Sequence, residues 1–161
     1  QTTMQDGNVL DMLNERMNPE DLTPALFPDG AVVVLEVKEA KLDLEPDEAT
    51  GQPKNLITFM LATCNEERTT KGTKLPQGYP VTHWISLNTM SKDKPGKPAR
   101  DIKELVRRNI AQWIAACGMP LPAPLGDVQQ YVGKRVNAVM ALRQDDRGPS
   151  NRIARFIAPA A

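Results

Sequence analysis

Residues 101–118 read DIKELVRRNIAQWIAACG, and the reading of this stretch organises the rest of the chain. Ile102, Leu105, Val106, Ile110, Trp113, Ile114 and Cys117 recur at steps of three and four, which places them on one face of a helix. Asp101 suits the first turn, where free N–H groups favour a carboxylate, and Gly118 followed by Pro120 supplies a stop. Lys103, Arg107 and Arg108 fall on the outer face. The sequence on either side changes to the two-residue period of strands.

Upstream, Ala31 to Leu44 is a β-branched run whose residues Val32, Val34, Glu36, Lys38, Ala40 and Leu42 are expected to share a face. Glu45 to Lys54 has the composition of a turn. Asn55 to Cys64 then alternates Leu56, Thr58, Met60 and Ala62 against Ile57, Phe59 and Leu61, which predicts a hairpin. A long polar connection, Asn65 to Pro80, leads to a third strand, with Val81, His83, Ile85 and Leu87 on one face and Thr82, Trp84 and Ser86 on the other. The loop Ser91 to Pro98 is basic, and its prolines cannot continue a ladder. Downstream of the helix, Gly126 to Val132 predicts one or two helical turns and Lys134 to Leu142 a fourth strand. Gln144 to Asn151 reads as a turn and Arg152 to Ile157 as the fifth strand.

The order β-β-β-α-β-β is that of the five-stranded Greek-key OB barrel, whose open face and loops bind oligonucleotides. The expected fold is therefore mainly β (α+β), an OB-like barrel with its amphipathic helix between strands three and four. A sandwich or a twisted α+β sheet of the same elements is the alternative. Residues 1–28 are expected to form an arm with a short helix over Gly7 to Met17, residues 29–158 the domain, and residues 159–161 a tail. A length of 161 residues fits one core.

The net charge is zero, but it is unevenly distributed. Residues 1–91 hold seven Lys and Arg against fourteen Asp and Glu, whereas residues 92–161 hold thirteen against six. This asymmetry allows a basic face that would attract phosphates, or a simple neutralisation of one half by the other. Cys64 and Cys117 lie within apolar runs without metal-ligand spacing, so two buried reduced thiols are expected. No basic-then-apolar leader and no run of about 18 apolar residues is present, which predicts a cytoplasmic protein without membrane contact.

An enzyme is not expected, and neither a cofactor nor a metal. His83 alternates with Val81 and Ile85, as a packed structural histidine does. Lys71-Gly72-Thr73 lacks the preceding glycine and the strand context of a phosphate loop. Asp43, Glu45, Asp47 and Glu48 lack the glycine and the terminal glutamate of a calcium loop.

The C-terminal segments Tyr131-Val132-Gly133-Lys134-Arg135-Val136, Leu142-Arg143 and Gly148-Pro149-Ser150-Asn151-Arg152-Ile153-Ala154-Arg155-Phe156 carry a resemblance. They resemble the closing hairpin of small bacteriophage OB-like proteins assigned to single-stranded-DNA binding. The likeness extends in outline over residues 24–158, through Pro28-Asp29-Gly30 and the central helix. It implies a phage protein of the host cytoplasm that coats single-stranded DNA in replication or recombination. Partners implied are other replication or recombination proteins. A homo-oligomer is expected on a separate ground, since the helix at residues 7–17 is short and connected by a proline-rich strap. Many bacterial single-strand binders end in an acidic recruiting tail; this sequence ends Ile157-Ala158-Pro159-Ala160-Ala161.

Such a binder needs cations along the backbone path and aromatic planes for bases. Of the seven aromatics, Trp113 belongs to the apolar helix face, while Trp84 stands between Thr82 and Ser86 on a polar strand face and is the better stacking candidate. Tyr79 beside the long connection is a second. Candidate cations are Lys71 and Lys74 in that connection, and Lys92, Lys94 and Lys97, with Arg100, before the helix. Lys134, Arg135, Arg143 and Arg152 lie in the last hairpin, with Arg147 and Arg155. In a regular strand Arg152 and Arg155 would fall on opposite faces. The alternative function is a phage structural or assembly protein acting through protein contacts, and inhibition of a host protein is a third.

Overall fold

The computed structural model describes residues 9–158. In chain order the strands are β1 (Val32–Asp43), β2 (Leu56–Thr63), β3 (Glu67–Arg68), β4 (Lys74–Leu75), β5 (Pro80–Ser86), β6 (Arg135–Asp145) and β7 (Gly148–Ile157). The central helix, Lys103–Ala116, lies between β5 and β6 in the chain. Five strands form one antiparallel sheet in the order β5-β2-β1-β6-β7, so the fold is mainly β with few helices, as expected. Among the described residues the edges β5 and β7 do not pair, and the sheet is not closed. The long connection after β2 is not wholly irregular: β3 and β4 pair within it as a short ribbon.

One face of the sheet is buried because its residues have no polar groups to solvate. Val33, Leu35, Val37 and Ala40 of β1, Ile57, Phe59 and Leu61 of β2, Ile85 of β5, and Val136, Ala138 and Met140 of β6 line it. The helix closes over this face with Val106, Trp113, Ile114 and Cys117. Leu105, expected there too, is exposed. It lies roughly 100° round the helix from Val106, at the margin of the apolar stripe. Gly118 ends the helix at φ 76°, a left-handed conformation that glycine adopts without a Cβ penalty.

Trp113 ties the layers together. Its ring stacks on Phe59 at 4.1 Å and on His83 at 5.6 Å, and meets Tyr131 and Phe156 edge-on at 5.9 and 5.5 Å. The buried Tyr131 hydroxyl donates to the Leu125 carbonyl at 2.6 Å, whereas Trp113 Nε1 finds no acceptor among the described residues. Phe27 also enters the core, beside the start of β5. Its ring meets Tyr79 edge-on at 5.9 Å. The Asn151 side chain accepts from Phe27 N–H at 2.8 Å and donates to the carbonyls of Phe27 at 2.9 Å and Ala141 at 3.2 Å. Phe27, grouped with the arm in the sequence, is thus fastened to the sheet. Residues 9–14 are helical, with Val9, Leu10, Met12 and Leu13 exposed. Gly7 and Asn8 of the expected helix, and the tail 159–161, lie outside the described residues.

Two bulges change which side chains share a face. In β1 the register slips between Val37 and Glu39, leaving Lys38 unmatched. Val32, Val34 and Glu36 therefore point outward while Ala40 turns into the core, so the single face expected for Val32 to Leu42 is split. In β7, Ile153 pairs with Met140 and Arg155 with Val139, leaving Ala154 as the extra residue. Arg152, opposite Ala141, and Arg155, opposite Val139, then lie on the same outer face, contrary to the expectation for a regular strand. The hairpin between β6 and β7 is also tighter than the expected turn 144–151, because Asp145 already pairs with Gly148. Pro149 sits inside β7, where an edge strand tolerates its missing N–H.

Candidate nucleic-acid interface

The outer face of the β2–β5 hairpin follows from the alternation that buries Ile57, Phe59 and Ile85. Trp84 pairs across to Thr58, and Thr58 to Lys41, so these three form one row on the outer face. Thr82, Met60 and Glu39 form the next row, and Ser86, Leu56 and Asp43 the one on the other side. Trp84 is 59% exposed and Met60 43%. A large aromatic plane open to solvent between two hydroxyl side chains has the geometry that base stacking needs.

Beyond Ser86 and Leu56 this face opens into a groove of about 1000 Å³ between the β1–β2 loop and the loop after β5. Lys54, Lys92 and Lys94 line it together with Asp43, Asp47 and Asp93, so its charge is mixed. The two loops are clamped by Asn55, whose side chain donates to Asn88 Oδ1 at 2.9 Å and whose carbonyl accepts from Leu87 N–H at 2.8 Å. Asp43 is held below the usual carboxylate range, first by the Glu45 N–H it accepts and also by Lys54 at 3.4 Å. Lys94 and Lys97 exchange backbone hydrogen bonds around Gly96, and both side chains are exposed.

Other candidates lie elsewhere. Lys71 lies in the β3–β4 turn and Lys74 in β4, at the Pro80 end of β5 rather than the Ser86 end. Lys71 Nζ donates to the Glu20 carbonyl at 2.9 Å, and Lys74 lies 3.7 Å from Glu66. Tyr79 is half-buried against Phe27 and offers no free plane of the kind Trp84 does. Arg135 lies 3.5 Å from Glu36, which also holds Lys38 at 2.7 Å. Lys38 is the first cause of the lowered Glu36 pKa. Lys134 is exposed just before β6, where its N–H donates to the Tyr131 carbonyl at 3.0 Å and its carbonyl accepts from Val37 N–H at 2.9 Å. Arg143, Arg152 and Arg155 are exposed on the outer face of the β6–β7 hairpin without an ion-pair partner among the described residues.

No protein-family model matches this chain, and no curated protein is significantly similar to it. Among the described residues there is no group of three or more His, Cys, Asp or Glu able to hold a metal, and no helix long and apolar enough to cross a membrane. Cys64 and Cys117 are both free thiols; Cys64 is half-buried, and Cys117 is buried, with its pKa pushed up to about 12 by that burial. Lys41 and Met60 were not singled out in the sequence. Their place beside Trp84 depends on cross-strand register, and their only local signal is alternation with Ala40 and Phe59.

His83 sits on the inner side of β5, opposite Phe59, half-buried between Trp113 and Phe156. Desolvation there lowers its pKa to about 4. A folded-state value below the unfolded one means that stability is complete above about pH 6.5 and falls as the pH drops toward 4. At pH 5 the loss relative to pH 7.5 is expected to be about 2 kcal/mol in urea unfolding. His83→Gln should lose most of that difference; equal wild-type stability at both pH values would contradict the burial argument.

Proposed function

We propose that this chain is a non-catalytic, OB-type single-stranded-DNA-binding protein of a bacteriophage, acting in replication or recombination. The observation that carries the proposal is Trp84, a solvent-open indole on the outer face of β5, in a row with Thr58 and Lys41 and beside a lysine-bearing groove. Stacking on such a plane is sequence-tolerant, because every base has a π-face. Lys41 in the same row, and Lys92 and Lys94 in the groove beyond Ser86, supply cations for phosphate contacts. The strand order supports the OB assignment: β1 lies between β2 and β6, and pairing of β5 with β7 would complete the barrel connectivity. The resemblance of the closing hairpin supports the phage assignment.

Binding of labelled oligo-dT, followed by anisotropy at two salt concentrations and compared with a matched duplex, tests this reading. Preference for the single strand is expected, with a log-log salt slope steeper than about −2, since each neutralised phosphate contributes roughly −0.7. Salt-insensitive binding, or none at low salt, would contradict it.

A second reading, a phage assembly protein that binds its own copies, is favoured by one feature. Val9, Leu10, Met12, Leu13, Met17 and Leu22 are all exposed in the N-terminal segment. That reading predicts no preference for oligo-dT and a place for the protein in purified particles.

A further inference from the structure

We propose that a bound single strand leaves Trp84, crosses the gap between β5 and β7, and continues along Arg155, Arg152 and Arg143 on the outer face of the last hairpin. The inference rests on the single-strand reading and extends it, because it adds a second contact surface and a direction of travel. Its first support is continuity. Trp84 and Arg155 line the same small cavity, about 180 Å³, which lies between the two edge strands and is flanked by Asn109 and Gln112 of the helix. A chain that stacks a base on Trp84 therefore meets Arg155 next, with amide side chains at the crossing point.

The second support is the bulge at Ala154. Without it, Arg152 and Arg155 would point to opposite sides, and Arg155 would displace an apolar side chain from the inner face. With it, Arg155 stands opposite Val139, Arg152 opposite Ala141, and Arg143 opposite Ser150, all on the outer face. These three paired rows follow one another at two-residue steps, roughly 7 Å apart, with Arg155 and Arg152 on β7 and Arg143 on β6, so the three guanidinium groups form a staggered stripe along the hairpin. Planar guanidinium groups suit phosphate oxygens because they donate two parallel hydrogen bonds.

The third support is charge. Arg143, Arg152 and Arg155 have no carboxylate partner among the described residues, unlike Arg135, which faces Glu36. The stripe also has a natural end. Asp145, at the hairpin tip, accepts from the Arg147 N–H at 2.8 Å and would repel a phosphate beyond Arg143. Val139 and Ala141, paired with Arg155 and Arg152, put apolar side chains beside these two arginines.

The test compares wild-type protein with the triple variant Arg143→Gln, Arg152→Gln, Arg155→Gln, using oligo-dT of increasing length. The variant is expected to bind the longer oligonucleotides at least tenfold more weakly and to lose about 2 from the salt slope. Its occluded site should shrink by about three nucleotides, while binding of the shortest oligonucleotides that engage Trp84 stays near the wild-type value. Unchanged thermal unfolding confirms that the exposed substitutions leave the fold intact, and the double variant Arg152→Gln, Arg155→Gln serves if the triple one is unstable. Wild-type binding with variants of unchanged affinity, slope and site size would overturn this path while leaving the Trp84 reading in place. Failure of wild-type protein to bind any oligo-dT would overturn both.

Discussion

Replacing Trp113 with alanine is expected to lower folding stability by about 3 to 5 kcal/mol, the range for removing a fully buried aromatic. The magnitude follows from its position. Its ring is completely buried and touches Phe59, His83, Tyr131 and Phe156, so it joins the helix to β2, β5, β7 and the turn Val128–Tyr131. The cavity left behind cannot be filled by the small residues around it, such as Ala116. Trp113→Phe should cost far less, about 1 kcal/mol, because it also removes a buried N–H that has no acceptor among the described residues. Urea unfolding at pH 7.5 distinguishes the two. Similar losses for both variants would mean that the indole N–H contributes to the core in a way the packing does not explain.

Trp84→Ala is expected to behave in the opposite manner, with little change in stability and a large change in oligo-dT affinity. Trp84 is more than half exposed, so truncating it removes little buried area. One lost base stack corresponds to about 1 to 3 kcal/mol, or roughly 5-fold to 150-fold in Kd at constant salt. The salt slope should stay close to the wild-type value, because no phosphate contact is removed. A drop in slope with little loss of affinity would assign Trp84 to positioning the lysines rather than to stacking. Tyr79→Ala provides a contrast. It should destabilise the protein by loosening Phe27 while leaving the affinity of the folded protein unchanged.

The regular parts of this fold were legible because burial imposes a period. Phe59 against Met60 and Ile85 against Trp84 alternate as an amphipathic strand must, and the stripe from Val106 to Cys117 repeats as a helix must. Trp84 could be found for the same reason, since an aromatic among Thr82 and Ser86 is conspicuous on a polar face. The bulges at Lys38 and Ala154 were not legible. Each adds one residue that nothing in the local composition marks, and each inverts the meaning of every position after it. That is why Arg155 could not be grouped with Arg152, and why the outward row Trp84, Thr58 and Lys41 emerged only from strand pairing. Asn151 holding Phe27 spans more than a hundred residues of sequence, a separation for which periodicity carries no signal.

The most direct test of the central claim is the tryptophan emission of the wild-type protein during titration with unlabelled oligo-dT. Trp113 is sealed in the core and Trp84 is open to solvent, so only one of the two indoles can meet a base. Saturable quenching of the red-shifted, solvent-exposed component is expected, with the buried component unchanged and with the quenching lost in Trp84→Phe. Binding without quenching, or quenching that survives in Trp84→Phe, would contradict stacking on Trp84.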